Sequence, residues 1–402
     1  MKEGQKRLML LGGLRYLIPL IQAAHKAGYY VITCDYLPEN IAHKYSDEYC
    51  NVSIIDKEAV LQAAKEKKID GIMSFAVDPG VTTAAYVQEQ LGLPGSPYRS
   101  VLILQNKDRF RKFLSDNGFN TPAAYSFDNL EDAVKSKETL PYPMIVKPTD
   151  SAGSKGVTKV ENAEMLEEAA RHAFQYSHSG NIIIEQFIEK AGCSSDSDCF
   201  SVDGELRFVS FSAQRFDDNA ANPYTPSAYS WPSTMTSGQE EYLKAEIQRL
   251  LTLLDMRTSI YNIETRIGLD GKAYIMEVSP RGGGNRLSEM LRYATGTDLI
   301  ENAIRAAVGD PVTDLEQRPY DGHWAEIILH ADESGRFEDL QIAEDMKKYV
   351  VETDLWVAKG ESVESFNGAN NAIGTLVMKF ESDKMLRDSL SDIASWMKVV
   401  VE

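Results

Sequence analysis

Cysteine is scarce in this chain of 402 residues. Cys34, Cys50, Cys193 and Cys199 are too few and too scattered for a disulfide framework, and no CxxC pair points to zinc. That usage fits a reducing cytoplasm. Clusters of Lys and Arg are missing too, and the net charge is −18, so a nucleic-acid partner, which is held through clustered cations, is excluded. Any phosphate must therefore be held locally, by a few lysines, backbone N–H groups and metal. No apolar stretch approaches the ~18 residues of a membrane span, which excludes a membrane partner. The start of the chain, Lys2 to Arg7 followed by Leu8 to Leu11, briefly imitates a signal peptide. Its apolar run stops at Gly12-Gly13, Arg15 follows, and no small-residue cleavage site is present, so it reads as a first strand. The six histidines show no HExxH or similar pairing and are expected in structural or surface roles. Internal repeats and low-complexity tracts are also lacking.

What is present is 43% hydrophobic residues, enough for two or three cores. From Arg7 to about Leu104 short apolar runs alternate with amphipathic stretches: RLMLLG, a helix over 16–27 stopped by Gly28, YYVITCDY, a helix over 57–67, DGIMSF, and a helix over 81–90. This is the βαβ rhythm of a parallel sheet. Gly12-Gly13 lacks the GxGxxG spacing and reads as a tight strand-to-helix turn, although Asp35 at the end of the second strand keeps a nicotinamide-dependent oxidoreductase as a rival. LGLPGSP (91–97) leaves this unit, and a boundary near 105 follows. Next come a helix over 107–117, strands over 143–148 and 156–160, a helix over 163–176 and a strand over 181–189. Residues 217–237 carry no period and read as a binding loop. A helix over 239–254 leads into a hairpin, and the last unit, from about 320, has strands HWAEIILHA and NAIGTLVMKF with helices between and after them.

The hairpin YNIETRIGLDGKAYIMEVSPR (261–281) turns at Asp270-Gly271, the pair favoured in a two-residue type I′ turn. Cross-strand partner numbers then total 541, which sets Glu264 opposite Glu277. Parity places Asn262, Glu264, Arg266, Ile275, Glu277 and Ser279 on one face and Ile263, Thr265, Ile267, Tyr274, Met276 and Val278 on the other. Opposed carboxylates ~5 Å apart repel by about 3 kcal/mol at an effective dielectric of ~20. A hard divalent cation shared with nucleotide phosphates would neutralise them. Two alternatives stand beside it: Arg266 on the same face neutralises the pair, or the turn is longer and the register slips.

In IVKPTDSAGSKGVTKV (145–160) a strand delivers Lys147, and a loop of small residues, Asp150 to Gly156, returns into another strand. Such a loop can close backbone N–H groups over phosphates or be simply a turn. It is not a Walker A loop, which runs into a helix. Lys107 opens its helix, where the macrodipole disfavours a cation, so an anionic ligand explains the placement better than solvent does.

In this order the pieces resemble the ATP-grasp superfamily along nearly the whole chain. The resemblance implies an α/β and α+β protein with a Rossmann-like N-terminal domain (1–105), a two-part ATP-grasp domain (106–316, divided near 185) and a lid-like α+β C-terminal domain (317–402). It implies that Lys107 and Lys147 contact ATP phosphates and that the flap contains Ser151, Gly153, Ser154 and Gly156. Glu185, with the backbone at Gln186 and Ile188, would read adenine. Asp198, with Asp196 in reserve, would hold the ribose, although an insertion over 190–197 blurs the alignment. Glu264 and Glu277 match the metal-binding acids for Mg²⁺ (or Mn²⁺), and Ser279 stands where Asn commonly adds a ligand. Arg281, in RGGGNR (281–286), would stabilise charge on the transferred phosphoryl group, and Asn285 would face substrate.

The family reaction implies that a substrate carboxylate attacks the ATP γ-phosphate to give an acyl phosphate, from which an amine displaces phosphate to form an amide. The motifs are most like the phosphoribosylglycinamide synthetase and L-amino-acid ligase branches. Small-molecule carboxylate and amine partners follow, Tyr224, Tyr229 and Trp231 are candidates for the acceptor site, and a homodimer is compatible. The rivals are an enzyme activating bicarbonate to carboxyphosphate, a nicotinamide-dependent oxidoreductase and an inactive nucleotide-binding module.

Overall fold

The computed structural model describes residues 4–150, 155–217, 222 and 224–402. Its first unit follows the βαβ rhythm. Strands β1 (Arg7–Leu11), β2 (Tyr30–Asp35), β3 (Glu48–Asn51) and β4 (Gly71–Ser74) form a parallel sheet in the order β3-β2-β1-β4. Helix α1 (Ile18–Lys26) joins β1 to β2 and α2 (Lys57–Lys67) joins β3 to β4, while α3 (Val81–Leu91) follows β4. Strands this apolar are buried on both faces, as parallel sheets require: Leu8 to Leu11 are fully buried. Asp35 accepts from the Tyr36 and Leu37 N–H groups and from the Asn40 amide, so its carboxylate closes the turn after β2 instead of facing a ribose.

Helices α4 (Tyr98–Gln105) and α5 (Lys107–Asp116) lead out of this unit, with the Asn106 side chain capping α5 by accepting from the Arg109 N–H. A small antiparallel sheet follows in the order β5-β8-β6-β7, from β5 (Ala124–Phe127), β6 (Met144–Pro148), β7 (Thr158–Val160) and β8 (Ile182–Gln186), with α6 (Leu130–Lys135) and α7 (Leu166–Tyr176) packed on one face. The next sheet has the order β10-β9-β13-β14, from β9 (Ser195–Val202), β10 (Glu205–Phe208), β13 (Ser259–Ile267) and β14 (Ala273–Ser279). Helix α8 (Ser237–Leu253) covers it, starting two residues before the expected 239 because Thr236 and Gln239 form a reciprocal capping box.

Two expectations need correction. The period-free stretch 217–237 contains strand β12 (Pro226–Trp231), which with β11 (Ala213–Phe216) joins β15 (His323–Leu329), β17 (Val350–Leu355) and β19 (Gly374–Phe380) in the sheet β11-β12-β15-β19-β17. The short alternation of Ser, Ala and Tyr between two prolines hides that strand. The sheet therefore crosses the boundary expected at 317. Between β15 and β19 the connections are strands β16 (Gly335–Ile342), β17 and β18 (Ser362–Val363) with single 3₁₀ turns, not helices. Helix α11 (Asp383–Ser391) and strand β20 (Met397–Val401) close the chain, and β18-β16-β20 make a last small sheet.

One hydrophobic core runs from the first unit through α9 (Leu287–Thr295) and α10 (Leu299–Ala307) to the C-terminal sheet, joining Leu10, Leu17, Leu291, Ile304, Trp324 and Val377. Gly71 is where β4 meets the end of α10: a Cβ there would lie 2.2 Å from the Ala307 carbonyl oxygen. Backbone cannot yield to such an intrusion as a side chain does. Gly71→Ala is expected to lower stability by about 1–3 kcal/mol, read as a fall in the urea midpoint.

Candidate active site

A cleft of about 300 Å³ opens between the β5-β8-β6-β7 and β10-β9-β13-β14 sheets. Lining it are five carboxylates (Asp78, Glu185, Asp196, Glu264, Glu277) and six cations (Lys107, Arg111, Lys147, Lys155, Arg266, Arg281). In a chain of net charge −18 the cleft is thus a local exception, fit for an anion.

The hairpin supplies the acids. Glu264 does pair with Glu277, but through two opposite departures from the simple register. The turn spans five residues, closed by Gly268 N–H to Lys272 C=O and Gly271 N–H to Gly268 C=O, both 2.9 Å, with Gly271 at φ +77°. Pairing next to it is consequently Ile267 with Ala273, Arg266 with Tyr274 and Thr265 with Ile275. A bulge at Met276 then restores the expected register at Glu264, Ile263 and Asn262. The face assignment beyond the bulge is corrected: Ile275 packs in the core with Ile263 and Ile267, Tyr274 donates its hydroxyl to Asp270 at 2.7 Å, and Met276 lines the cleft.

Strand β9 adds a third acid. Asp196 pairs with Glu264 as Glu264 pairs with Glu277, so three carboxylates form a row across three adjacent strands. Their oxygens do not all converge within 4.8 Å. Arg266 reaches Glu264 at 3.5 Å and Lys107 reaches Glu277 at 3.8 Å, so the neutralisation by Arg266 considered above is partly realised. It is incomplete: burial and then Glu264 push Asp196 up to about 7, and burial raises Glu264 as well, with Glu277 adding to it against Arg266.

Opposite the row stands a buried ion triad. Arg111 Nε donates to Glu185 at 2.8 Å, and Lys147 donates to the other Glu185 oxygen. Burial would raise Glu185, but Arg111 and Lys147 overcome it and hold the carboxyl at about 2. Burial lowers Lys147; Glu185 opposes this, while Arg111 and Lys107 add to it. Glu185, expected at the base, therefore serves the cations. Arg111 was not anticipated, although it follows Lys107 by one helical turn and so shares its face. Its Nη1 also donates to the Met276 carbonyl at 2.8 Å, the group that the bulge turns toward it.

Several expected contacts are committed elsewhere. Asp198 is fully buried and accepts from Ser288 Oγ, the Gly283 N–H at 2.8 Å and Asn262 Nδ2 at 3.3 Å, so it is a packing acid with no access to a ribose. Ser279 donates to Asp78 at 3.1 Å, accepts from Gln105 at 2.9 Å, and is buried and absent from the cleft's lining. Asp78, from the loop after β4, also clamps Arg281 through Nε at 2.9 Å and Nη2 at 2.8 Å; the sequence reading had no partner for Arg281. Burial pushes Asp78 up, and Arg281 overrides it to leave the carboxyl below its ordinary range. Asn285 does not line the cleft: its amide donates to Tyr229 Oη, which donates to Asp196. Tyr224 lines the cleft, whereas Trp231 is fully buried in the core. At the end of β8, the Gln186 N–H donates to Ala123 C=O and Arg266 donates to Ile188 C=O, leaving the Gln186 C=O and Ile188 N–H without a partner outside the sheet ladder among the described residues. Gly156 turns at φ +71° beside Tyr176. Ser151, Gly153 and Ser154 lie outside the described residues.

Residues 140–289, which supply most of the cleft's lining, match the model of the ATP-grasp domain. The fold of the chain is shared from end to end by solved structures. The L-amino acid ligase from Bacillus licheniformis superposes with TM-score 0.82 at 22% identity, covering 100% of both chains. The phosphoribosylglycinamide synthetase from Anaerococcus prevotii gives 0.77 at 19%, covering 99% of this chain and 100% of that one. In sequence, the carbamoyl phosphate synthase large chain of Thermotoga neapolitana is 25% identical over 305 residues, 75% of this chain. This chain matches only about a quarter (27%) of that relative's length. No helix among the described residues is long and apolar enough to cross a membrane.

Asp196 offers a test with a defined sign. Its folded-state value near 7 lies above the usual carboxyl range, so the folded protein carries a charge penalty above pH 7 that fades as the group protonates. Asp196→Asn should raise stability on the order of 1 kcal/mol at pH 8 and much less at pH 5, read from urea midpoints at both values.

Proposed function

We propose that this protein is an ATP-dependent, ADP-forming carboxylate–amine ligase. The observation that carries the reading is the opposition of Lys107, Arg111 and Lys147 to the row Asp196, Glu264 and Glu277 across one cleft lined largely by residues 140–289, which match the ATP-grasp domain. Arg111 and Lys147 share the single carboxylate Glu185, which leaves positive charge on that wall for a polyphosphate. The row, short of cations, has the donor chemistry for a divalent ion of the Mg²⁺ or Mn²⁺ kind, which takes one or two carboxylates together with phosphate oxygens. Glu264 and Glu277 would hold it, and when bound it supplies neutralisation of charge on the transferred phosphoryl group.

The remaining roles belong to the chain itself. Ile145, Val157, Ile188 and Met276 give an apolar lining suited to a flat base, with the Gln186 C=O and Ile188 N–H at its edge. Lys107 and Lys147 bind and orient the phosphates. Arg281, aimed by its two bonds to Asp78, stands ready for charge that develops as a substrate carboxylate attacks the γ-phosphate. The resulting acyl phosphate is then opened by an amine with loss of phosphate. No nucleophilic side chain is needed. A second reading, activation of bicarbonate to carboxyphosphate, draws on the sequence likeness to carbamoyl phosphate synthase.

ADP release measured with Mg²⁺ and ATP across paired carboxylates and amines tests this. Turnover should require both substrates and fall by ~100-fold or more in Glu277→Gln with the fold intact. Turnover of that variant at the wild-type rate would refute the metal role, and ADP release driven by bicarbonate alone would favour the second reading.

A further inference from the structure

Away from the cleft's acid row, the end of β11 meets the end of β15. There Asp217, His330 and Asp332 bring one ligand atom each within 4.8 Å of the others, the one such group of three or more among the described residues. We propose that these three side chains form a binding site for a divalent transition-metal ion of the zinc class, separate from the nucleotide site.

The imidazole decides the chemistry. His330 Nδ1 lies 2.7 Å from the Ile328 carbonyl oxygen. A carbonyl only accepts, so Nδ1 is the donor there, and Nε2 is the ring nitrogen left to take a metal ion. Nε2 faces Asp217 Oδ2 at 3.4 Å. A protonated imidazole paired with a carboxylate closes to about 2.7–2.9 Å. Two ligands each ~2.1 Å from a tetrahedral ion stand about 3.4 Å apart, which is the separation found. An imidazole bonded through its other nitrogen to a backbone carbonyl is also how metal-binding histidines are held in register.

Both sides of the site are fixed in place. The His330 ring stacks on Phe366 at 4.0 Å between centroids. Residues 330 and 332 flank Ala331, which is fully buried, bridges Ser365 and accepts from the Phe366 N–H at 3.0 Å, so the segment that carries both side chains is anchored. Asp332 is exposed, which leaves a fourth position to solvent. Two carboxylates and a neutral imidazole balance a dication. The nitrogen donor favours Zn²⁺ over Mg²⁺, so the two kinds of site sort two kinds of metal. Asp217 directly follows Phe216, which lines the nucleotide cleft. An ion here ties that wall of the cleft to the C-terminal sheet.

The test uses the full chain, stripped by chelator and dialysed, titrated with Zn²⁺ in excess Mg²⁺ by calorimetry and checked by elemental analysis. One Zn²⁺ per chain is expected. His330→Gln and Asp332→Asn should each weaken it by more than the ~10–100-fold that loss of a residue merely supporting a ligand costs. Zn²⁺ should raise the thermal midpoint of the wild type and leave that of His330→Gln unmoved, and Co²⁺ should give a tetrahedral visible spectrum that His330→Gln abolishes. Asp332 is exposed, so its variant keeps the test valid if His330→Gln folds poorly. Failure of the wild type to bind Zn²⁺, or unchanged affinity in both variants, would overturn the proposal. So would Zn²⁺ binding lost only in Cys50→Ser, which would put the metal at the cysteines.

Discussion

The buried contact of Arg111 with Glu185 is the constraint on which the rest of the site depends. The guanidinium and the carboxylate are almost wholly withdrawn from water, with 4% and 2% of their side-chain surfaces exposed. Charges so placed are tolerable only when fully paired, and removing one partner of such a pair typically costs about 3–5 kcal/mol. Glu185 is paired twice, with Arg111 and with Lys147, and Arg111 spends another N–H on the carbonyl of Met276. One cluster thereby joins helix α5, the small sheet through β8 and β6, and the carboxylate hairpin at its bulge. Whatever moves one wall of the cleft strains this joint.

A second clamp acts from the other side. Asp78, carried by the loop after β4, holds both Ser279 and Arg281, and the Ala76 N–H of the same loop donates to the Gly282 carbonyl at 3.0 Å. The first unit thus contributes to the site through the carboxyl end of a parallel strand, where open α/β sheets generally place ligands. Between these clamps the cleft keeps two unlike regions apart: cations with too few acids, and acids with too few cations. Burial sharpens both, lowering Lys147 and raising Asp196. A polyphosphate with a divalent ion answers both imbalances at once.

What could be read from the chain and what could not divide along physical lines. Period and punctuation place three of the first unit's four strands and the helices α1 to α3, because each is set by its own residues and by glycines such as Gly28, while the short β3 was missed. The pairing of Glu264 with Glu277 came out correctly although the turn was assigned one register too tight, because the bulge at Met276 offsets the longer turn. Strand β12 was missed, since its pattern is short and its partners, β11 and β15, are supplied from other parts of the chain. Asp198 and Asp196 are two residues apart on one strand and have equal chemistry, and only packing decides that one is sealed by Ser288 and Gly283 while the other faces the cleft.

By itself, then, the sequence determined the residue types that matter: lysines at 107 and 147, acids at 264 and 277, an arginine at 281 and a chain too acidic to hold phosphate anywhere but locally. These follow from local spacing, turn chemistry and composition, which act over a few residues. Tertiary structure alone decided the partners. Arg111 meets Glu185 across 74 residues and Arg281 meets Asp78 across 203, and a hydroxyl such as that of Ser279 is taken up by a carboxylate 201 positions away. Which charge is answered and which is left for a ligand depends on distance through space in a low dielectric, and no pattern along the chain carries that distance.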